Sequence, residues 1–430
     1  MMKILGIETS CDETAAAVVE DGWRLISNVV QSQIDLHAAF GGVVPEVAAR
    51  SHLEVILPVV DKAVQDAGGW DEIDAIAVTT MPGLIGSLLI GSLTARTLAL
   101  IKNKPLYPIN HVEAHVYANF IGSQEKDFPN TFSSSRNAST NHPSQTSSSR
   151  SRLLLASPRR QPSGDLAPAQ DLEEEFGRDD LVVGGDEPNP TASSERVGLV
   201  RRKHQPEFPM LALIVSGGHS QIVLFHDHGN YEMIGQTQDD AVGEAFDKVA
   251  KILGLPYPGG PAIAAAAEHG DPQAYTFPKA KMSGKYDFSF SGLKTAVLRA
   301  AQSAAGKDHT FPSTGLSELL SESQRNNFAA SFQKTAVETL VDKIITAYEE
   351  FHPKSVVIGG GVAANQELRR QLAERLPIAI EYPPMNLCTD NAAMVASLGY
   401  FMAQKIPPTD PRDVEVNPSI SMTLTAWNLP

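Results

Sequence analysis

Two histidines four residues apart, in the segment HVEAH at 111–115, are the side chains of this chain best suited to chemistry. On a helix, His111 and His115 project from one face, so both imidazoles can grip one metal ion. At least one oxygen ligand must join them, and two histidines with a carboxylate leave positions open for substrate. The pair alone is weak, because histidines at this spacing also arise by chance on solvated helices. Zinc proteases use H-E-x-x-H, with the general base next to the first histidine. Here Glu113 falls between the two and points away from them, which argues against a peptidase.

Two glycine turns are the next candidates. SGGH at 216–219 joins two strand-like runs, where paired glycines let backbone amides approach an anion. GGG at 359–361 follows a strand and precedes a helix, the place where a helix N-terminus meets a nucleotide. In a duplicated architecture the two loops are expected to face each other and close on one molecule. Carboxylates supply the third set. Glu8, Asp12 and Glu13 are expected on a turn after the first strand, with Asp12 and Glu13 as candidates for proton transfer and turn capping as the alternative. Asp247, on a helix before the rigid PGGP loop, is suited to a ribose or adenine hydrogen bond, or is a solvated helix carboxylate.

The elements that must position these groups repeat. KILGIETS, ETAAAVVE and WRLISNVVQ read as three strands, followed by a helix over 45–67, a strand at 75–80, a helix after Gly83, a strand at 105–108 and a helix from His111. MLALIVSGG, SQIVLFHD and YEMIGQTQ are again three strands, with a later strand at 355–358, a helix over 364–374, a strand near 378–382 and a final helix from Asn391. The repeat implies an ancestral duplication. The expected fold is α/β, with two duplicated ribonuclease-H-like lobes around a central cleft, the plan of the actin, sugar-kinase and Hsp70 superfamily. Residues 1–123 form the first lobe and 208–430 the second, whose last helix is expected to pack back on the first lobe. Residues 124–207, rich in Ser, Pro, Arg and acids, read as a low-complexity, disordered insertion.

Composition narrows the class. A net charge of −15 excludes a general nucleic-acid footprint, so any RNA contact must be local or shared with partners. Cys11 and Cys388 are the only cysteines, which fits a reducing compartment. The first strand begins at Lys3 and leaves no room for a leader, while Gly, Ser, Thr and Arg interrupt the Leu-rich run 83–101. The reading is a cytoplasmic protein without a membrane anchor.

GIETSCDET, GGVVPEVAARSH, MPGLIGSL, HVEAH, VSGGHSQ, DDAVGEAFDKVAK, YPGGP, FSFSGLKTAV, GGGVAANQELR and CTDNAAM, in that order along both lobes, resemble the bacterial tRNA N6-adenosine threonylcarbamoyltransferase family. The resemblance implies a metal held by His111, His115 and Asp390, with Fe(2+) favoured and Zn(2+) or Mg(2+) as alternatives. It implies substrate contacts at Ile214, Val215, Ser216, Gly217, Gly218, Asp247, Gly260 and Asn365. The reaction it implies moves threonylcarbamoyl from threonylcarbamoyl-AMP to N6 of adenosine 37 in tRNAs reading codons that begin with A, releasing AMP. Implied partners are tRNA, a catalytically silent paralogue and a small ATPase. Many members carry an acid shortly after the PGGP turn where this chain has Ala264, which puts one nucleoside contact in doubt. Two other classes share the fold: a small-molecule kinase or ATPase, which needs a phosphate acceptor, and a non-catalytic scaffold, which is expected to lack the histidine pair.

Overall fold

The computed structural model describes residues 1–122, 205–420, 422 and 427. The insertion read at 124–207 therefore lies outside the described residues except for 205–207. The first sheet is built from β1 (Lys3–Glu8), β2 (Glu13–Glu20), β3 (Arg24–Ser32), β4 (Ala75–Met81) and β5 (Leu106–Asn110) in the order β3-β2-β1-β4-β5. Helices α1 (Ile34–Ala38), α2 (Pro45–Asp66), α3 (Ile85–Lys102) and α4 (His111–Tyr117) connect and follow these strands.

The second sheet comprises β6 (Met210–Val215), β7 (Ser220–Asp227), β8 (Asn230–Gln236), β9 (Ser355–Gly359) and β10 (Ile380–Glu381), ordered β10-β9-β6-β7-β8. Each sheet begins with an antiparallel meander and continues with parallel strands beside its first strand. The order is the same in both lobes, so the protein is a duplicated ribonuclease-H-like α/β structure. Helices α5 (Val242–Leu253), α6 (Gly259–Ala267), α7 (Ser291–Ala304), α8 (Glu322–Phe351), α9 (Gln366–Arg375) and α10 (Ala392–Ala403) complete the second half.

Period-two alternation decides which helices cover which face. Leu5, Ile7, Val18, Ile76 and Val78 face one way and are buried with Ile56, Val60 and Ala95 of α2 and α3. Ile4, Ala17, Ala75 and Ala77 face the other way, into a core shared with α4, α10 and inward residues of the second sheet such as Ile214 and Val223. Helix α10 lies close on β1 because Gly6 leaves room: a Cβ there would sit 2.2 Å from the Ala392 carbonyl oxygen. Helix α4, which ends the first half, packs on β6 and β9 of the second sheet. A Cβ on Gly359 would come within 2.6 Å of the His115 carbonyl. The two short helices are thus exchanged between lobes.

The sequence reading differs in detail. Five residues before α2 form the short helix α1, where no apolar period announces it. The strand expected near 378–382 pairs over only two residues, Ile380 and Glu381. Helix α3 spans 18 residues at a mean hydropathy of 1.3, long and apolar enough by length and composition to cross a membrane. Its Ser87, Leu88, Gly91, Ser92, Ala95 and Ala99 are nevertheless buried against protein.

Candidate active site

Helices α4 and α10 each start from an asparagine cap, and these starts carry the candidate metal ligands. Asn110 Oδ1 accepts from Val112 N (2.9 Å) and Glu113 N (3.2 Å), which makes His111 the first residue of α4. Asn391 Oδ1 accepts from Met394 N at 3.0 Å and its Nδ2 donates to the Leu387 and Thr389 carbonyls, fixing Asp390 just before α10. The packing of α4 on α10 brings the three side chains together. Asp390 Oδ1 lies 3.5 Å from His111 Nε2 and 3.4 Å from His115 Nε2. Ligands on bonds of about 2.1 Å stand roughly 3.0–3.4 Å apart around one ion.

The residues present fit a metal on a second ground. His115 is buried, yet neither Nδ1 nor Nε2 makes a hydrogen bond among the described residues. A buried nitrogen without a hydrogen bond costs about 1–3 kcal/mol, and coordination through Nε2 removes the cost at that nitrogen. His111 is oriented from behind: its Nδ1 lies 3.2 Å from Glu8 Oε2 and 3.0 Å from Ser10 Oγ, so Nδ1–H can donate to the carboxylate while Nε2 faces Asp390.

The charges are tightly interlocked. Burial would depress His111, but Asp390 and then Glu8 beside it outweigh that and hold it at about 9. Burial would raise the Glu8 carboxyl, but His111 and hydrogen bonds from His111, Ser10 and Thr79 hold it below its usual value. His115 is driven well down by burial, then by His111 and His219. Asp390 rises to about 6, chiefly through burial, against the pull of His111.

Glu8 is the first correction to the sequence reading: it is not a turn residue but the fully buried end of β1, with Thr79 Oγ1 donating to it at 2.6 Å. Glu8→Gln is expected to lower metal affinity about 10–100-fold while preserving the melting temperature to within a few degrees. Titration of the metal-free protein with Co(2+) checks this, and an unchanged dissociation constant would remove the orienting role.

The second correction concerns the glycine loops. SGGH and GGG do not face each other: both belong to the second sheet, at the ends of the adjacent parallel strands β6 and β9. Gly360, at φ +92°, would place a Cβ 2.4 Å from the Val215 carbonyl oxygen. Their counterparts in the first lobe are the Ser10–Asp12 turn and the MPG turn after β4. Leu84 N donates to the Ser10 carbonyl at 2.8 Å, and a Cβ on Gly83 would stand 2.7 Å from that oxygen.

The other predicted contacts are placed as follows. Ile214 and Val215 are fully buried on β6, so they can offer a ligand backbone groups only. Ser216 N donates to the His219 carbonyl at 2.8 Å, while Gly217, Gly218 and Gly260 have open space where a Cβ would point. Asp247 accepts from Gly259 N at 2.7 Å and thereby ties α5 to the PGGP loop. Asn365 caps α9 by accepting from Leu368 N (3.0 Å) and donates to Gln333 Oε1 (2.9 Å). The Tyr257 phenol is raised by burial and then by the charges of Asp12 and Asp247. Glu13 is raised well above its usual value by burial, Asp390 and Asp12.

Two residues escaped the sequence reading. His219, the last residue of SGGH, is held neutral, near 4, by burial and then by the charge of His111. Its signal was its place in a quoted motif. His52, buried on α2, bonds Thr14 Oγ1 through Nδ1 (2.7 Å) and the Cys11 carbonyl through Nε2 (3.0 Å), which pins the turn bearing Asp12 ahead of Glu13, a residue that opens β2 instead of lying on the turn.

The family model described as tRNA N6-adenosine threonylcarbamoyltransferase matches residues 24–137 and 194–397. The chain belongs to that family. The threonylcarbamoyltransferase of Thermomicrobium roseum is 43% identical over 417 residues, covering 94% of this chain and 93% of its own. That of Dehalococcoides mccartyi strain BAV1 is 41% identical over 423 residues, covering 98% and 100%. Among solved structures, the activator of the 2-hydroxyisocaproyl-CoA dehydratase from Clostridium difficile, with bound ADPNP, aligns over 98% of this chain and 100% of its own at 12% identity and a TM-score of 0.42. As a threonylcarbamoyltransferase family member, the protein is a transferase that modifies tRNA. His111, His115 and Asp390, which the resemblance implies as metal ligands, lie close enough together to hold one ion.

Proposed function

We propose that the protein transfers the threonylcarbamoyl group of threonylcarbamoyl-AMP to N6 of adenosine 37 in tRNAs that read codons beginning with A, and that His111, His115 and Asp390 hold a divalent metal for this reaction, iron by resemblance. The observation that carries the reading is the convergence of one ligand atom each from His111, His115 and Asp390 where α4 meets the start of α10, all within 4.8 Å of one another. A divalent ion bound there supplies Lewis-acid polarisation of a carbamoyl or phosphate oxygen.

The protein's own groups do the rest. The open backbone at Gly217, Gly218 and Gly260 admits the adenylate closely, with Asp247 and Asn365 beside it, and the gain is positional. A new bond forms between N6 and the carbamoyl carbon while the carbon–oxygen bond to AMP breaks. The proton lost by the amine goes to Glu13, Asp12 or the departing phosphate. Burial, Asp390 and Asp12 raise the Glu13 carboxyl, which makes its ionised form a stronger base. A kinase reading leaves the buried histidine pair without a role.

The test is mass analysis of tRNA nucleosides after incubation with synthetic threonylcarbamoyl-AMP. The expected product is the threonylcarbamoylated adenosine, lost when His111 is replaced. Unmodified adenosine in the presence of the chain and its partner proteins would overturn the reading.

Partner proteins, a silent paralogue and a small ATPase, belong to the same proposal, as does a cytoplasmic setting. An exposed apolar stripe supports the partner reading. Leu53 and Leu57 on α2 are 66% and 62% exposed, and Ile85, Leu89 and Leu93 recur every four residues on α3 with 50%, 41% and 52% exposure. Leu89→Glu with Leu93→Glu is expected to abolish co-purification with the paralogue without lowering the melting temperature. Retained association would place the contact elsewhere.

A further inference from the structure

Glu113 lies between the two histidine ligands and serves neither. On a helix it stands roughly 160–200° around the axis from them, on the opposite face. It is nonetheless fully buried, and a buried carboxylate requires donors. Two come from distant parts of the chain. Trp427 Nε1 donates to Glu113 Oε1 at 2.7 Å, and the Tyr231 hydroxyl of β8 reaches Oε2 at 3.1 Å. The same hydroxyl lies 3.0 Å from the Met422 carbonyl, so its one proton is shared between helix and C-terminal residues.

Further packing seats these groups. Met422 is fully buried in the core that also contains Val112, Ala114 and Val116 of α4, and Trp427 packs against that core. The indole rests on the turn between β7 and β8. Gly229 there is at φ +72°, and a Cβ on it would stand 2.5 Å from the ring. The turn is shaped to receive the indole, which argues against an incidental contact.

We propose that Glu113, Tyr231 and Trp427 form a clip that holds the ligand helix from behind, so that the C-terminal residues of the chain are positioning residues for the metal centre. The lever is short. Helix α4 has only seven residues, and a rotation of 20° about its axis moves an imidazole tip roughly 2 Å, the length of a coordination bond. Locking the far face against rotation therefore keeps both Nε2 atoms within reach of Asp390. Coupling of this kind is reciprocal: a clip that favours the metal-bound arrangement is itself tightened by metal.

The inference rests on the metal reading, and the test separates the two. Metal-free protein is titrated with Co(2+) and followed by its visible ligand-field absorption, for wild type, Trp427→Phe and Glu113→Gln. Trp427→Phe keeps an aromatic ring on Gly229 and removes only the N–H. Both variants are expected to weaken Co(2+) binding about tenfold with altered band positions, while Trp427→His, which restores a ring N–H, recovers part of the affinity. In a Trp23→Phe, Trp70→Phe background, Co(2+) is expected to change the emission of Trp427. A wild type that binds no cobalt takes down the metal reading and the clip with it. Tight binding by wild type, matched by both variants with the same spectrum, overturns the clip alone.

Discussion

His111→Ala is expected to reduce threonylcarbamoyl transfer at least about a thousandfold, a loss of roughly 4 kcal/mol of transition-state stabilisation. The variant removes one of three ligand atoms and the group whose Nδ1 sits against Glu8 and Ser10. The fold should persist. The α4 cap is made by Asn110, not by His111, and Glu8 retains Thr79 Oγ1 and the Ser10 amide as donors. Metal content, circular dichroism and transfer should be measured on one sample. The expected result is folded protein with little bound metal and no product, and wild type stripped by a chelator should behave the same way. Transfer near the wild-type rate would end the metal assignment.

Gly6→Ala tests the other half of the construction, the seating of α10. The added Cβ would lie 2.2 Å from the Ala392 carbonyl oxygen, 2.7 Å from Ala396 N and 3.0 Å from Ala396 Cβ. The first two are backbone atoms, so no side chain can swing aside and α10 itself must move. Destabilisation of about 3 kcal/mol is expected, the upper range for overpacking a tight core. Because Asp390 is carried at the start of α10, metal affinity should fall in the fraction that remains folded. Gly292→Ala, on α7 where a Cβ meets nothing within 4 Å, is the control and should change stability by less than about 1 kcal/mol. Urea unfolding of the two variants compares them directly, and equal midpoints would refute the packing argument.

Much of the fold was legible because its strands and helices carry strong periodic signals. The short apolar runs KILGIE and MLALIV and the asparagines before His111 and Ala392 announce element type and start without reference to the rest of the chain. Helix α1 was not legible, and β10 was legible as a strand near 378–382 but not in its two-residue length. Neither is long enough to carry a period, and their geometry comes from what they pack against. The loops SGGH and GGG were recognisable as turns, but their relation was not, since strand order is a property of the sheet.

The amino-acid order by itself determined the duplicated α/β plan and the chemical types at the site. Both depend on local pattern: periodic burial along each element, and donor atoms fixed at i and i+4 on one helix. The return of the last helix to the first lobe was expected, but only tertiary structure decided that α4 packs on the second sheet in exchange, that Glu8 stands behind His111 and that Glu113 is gripped by Tyr231 and Trp427. Those pairings join residues up to 314 positions apart. They arise where two surfaces pack closely enough for a missing Cβ or a single buried donor to matter, and no local window of sequence contains both partners.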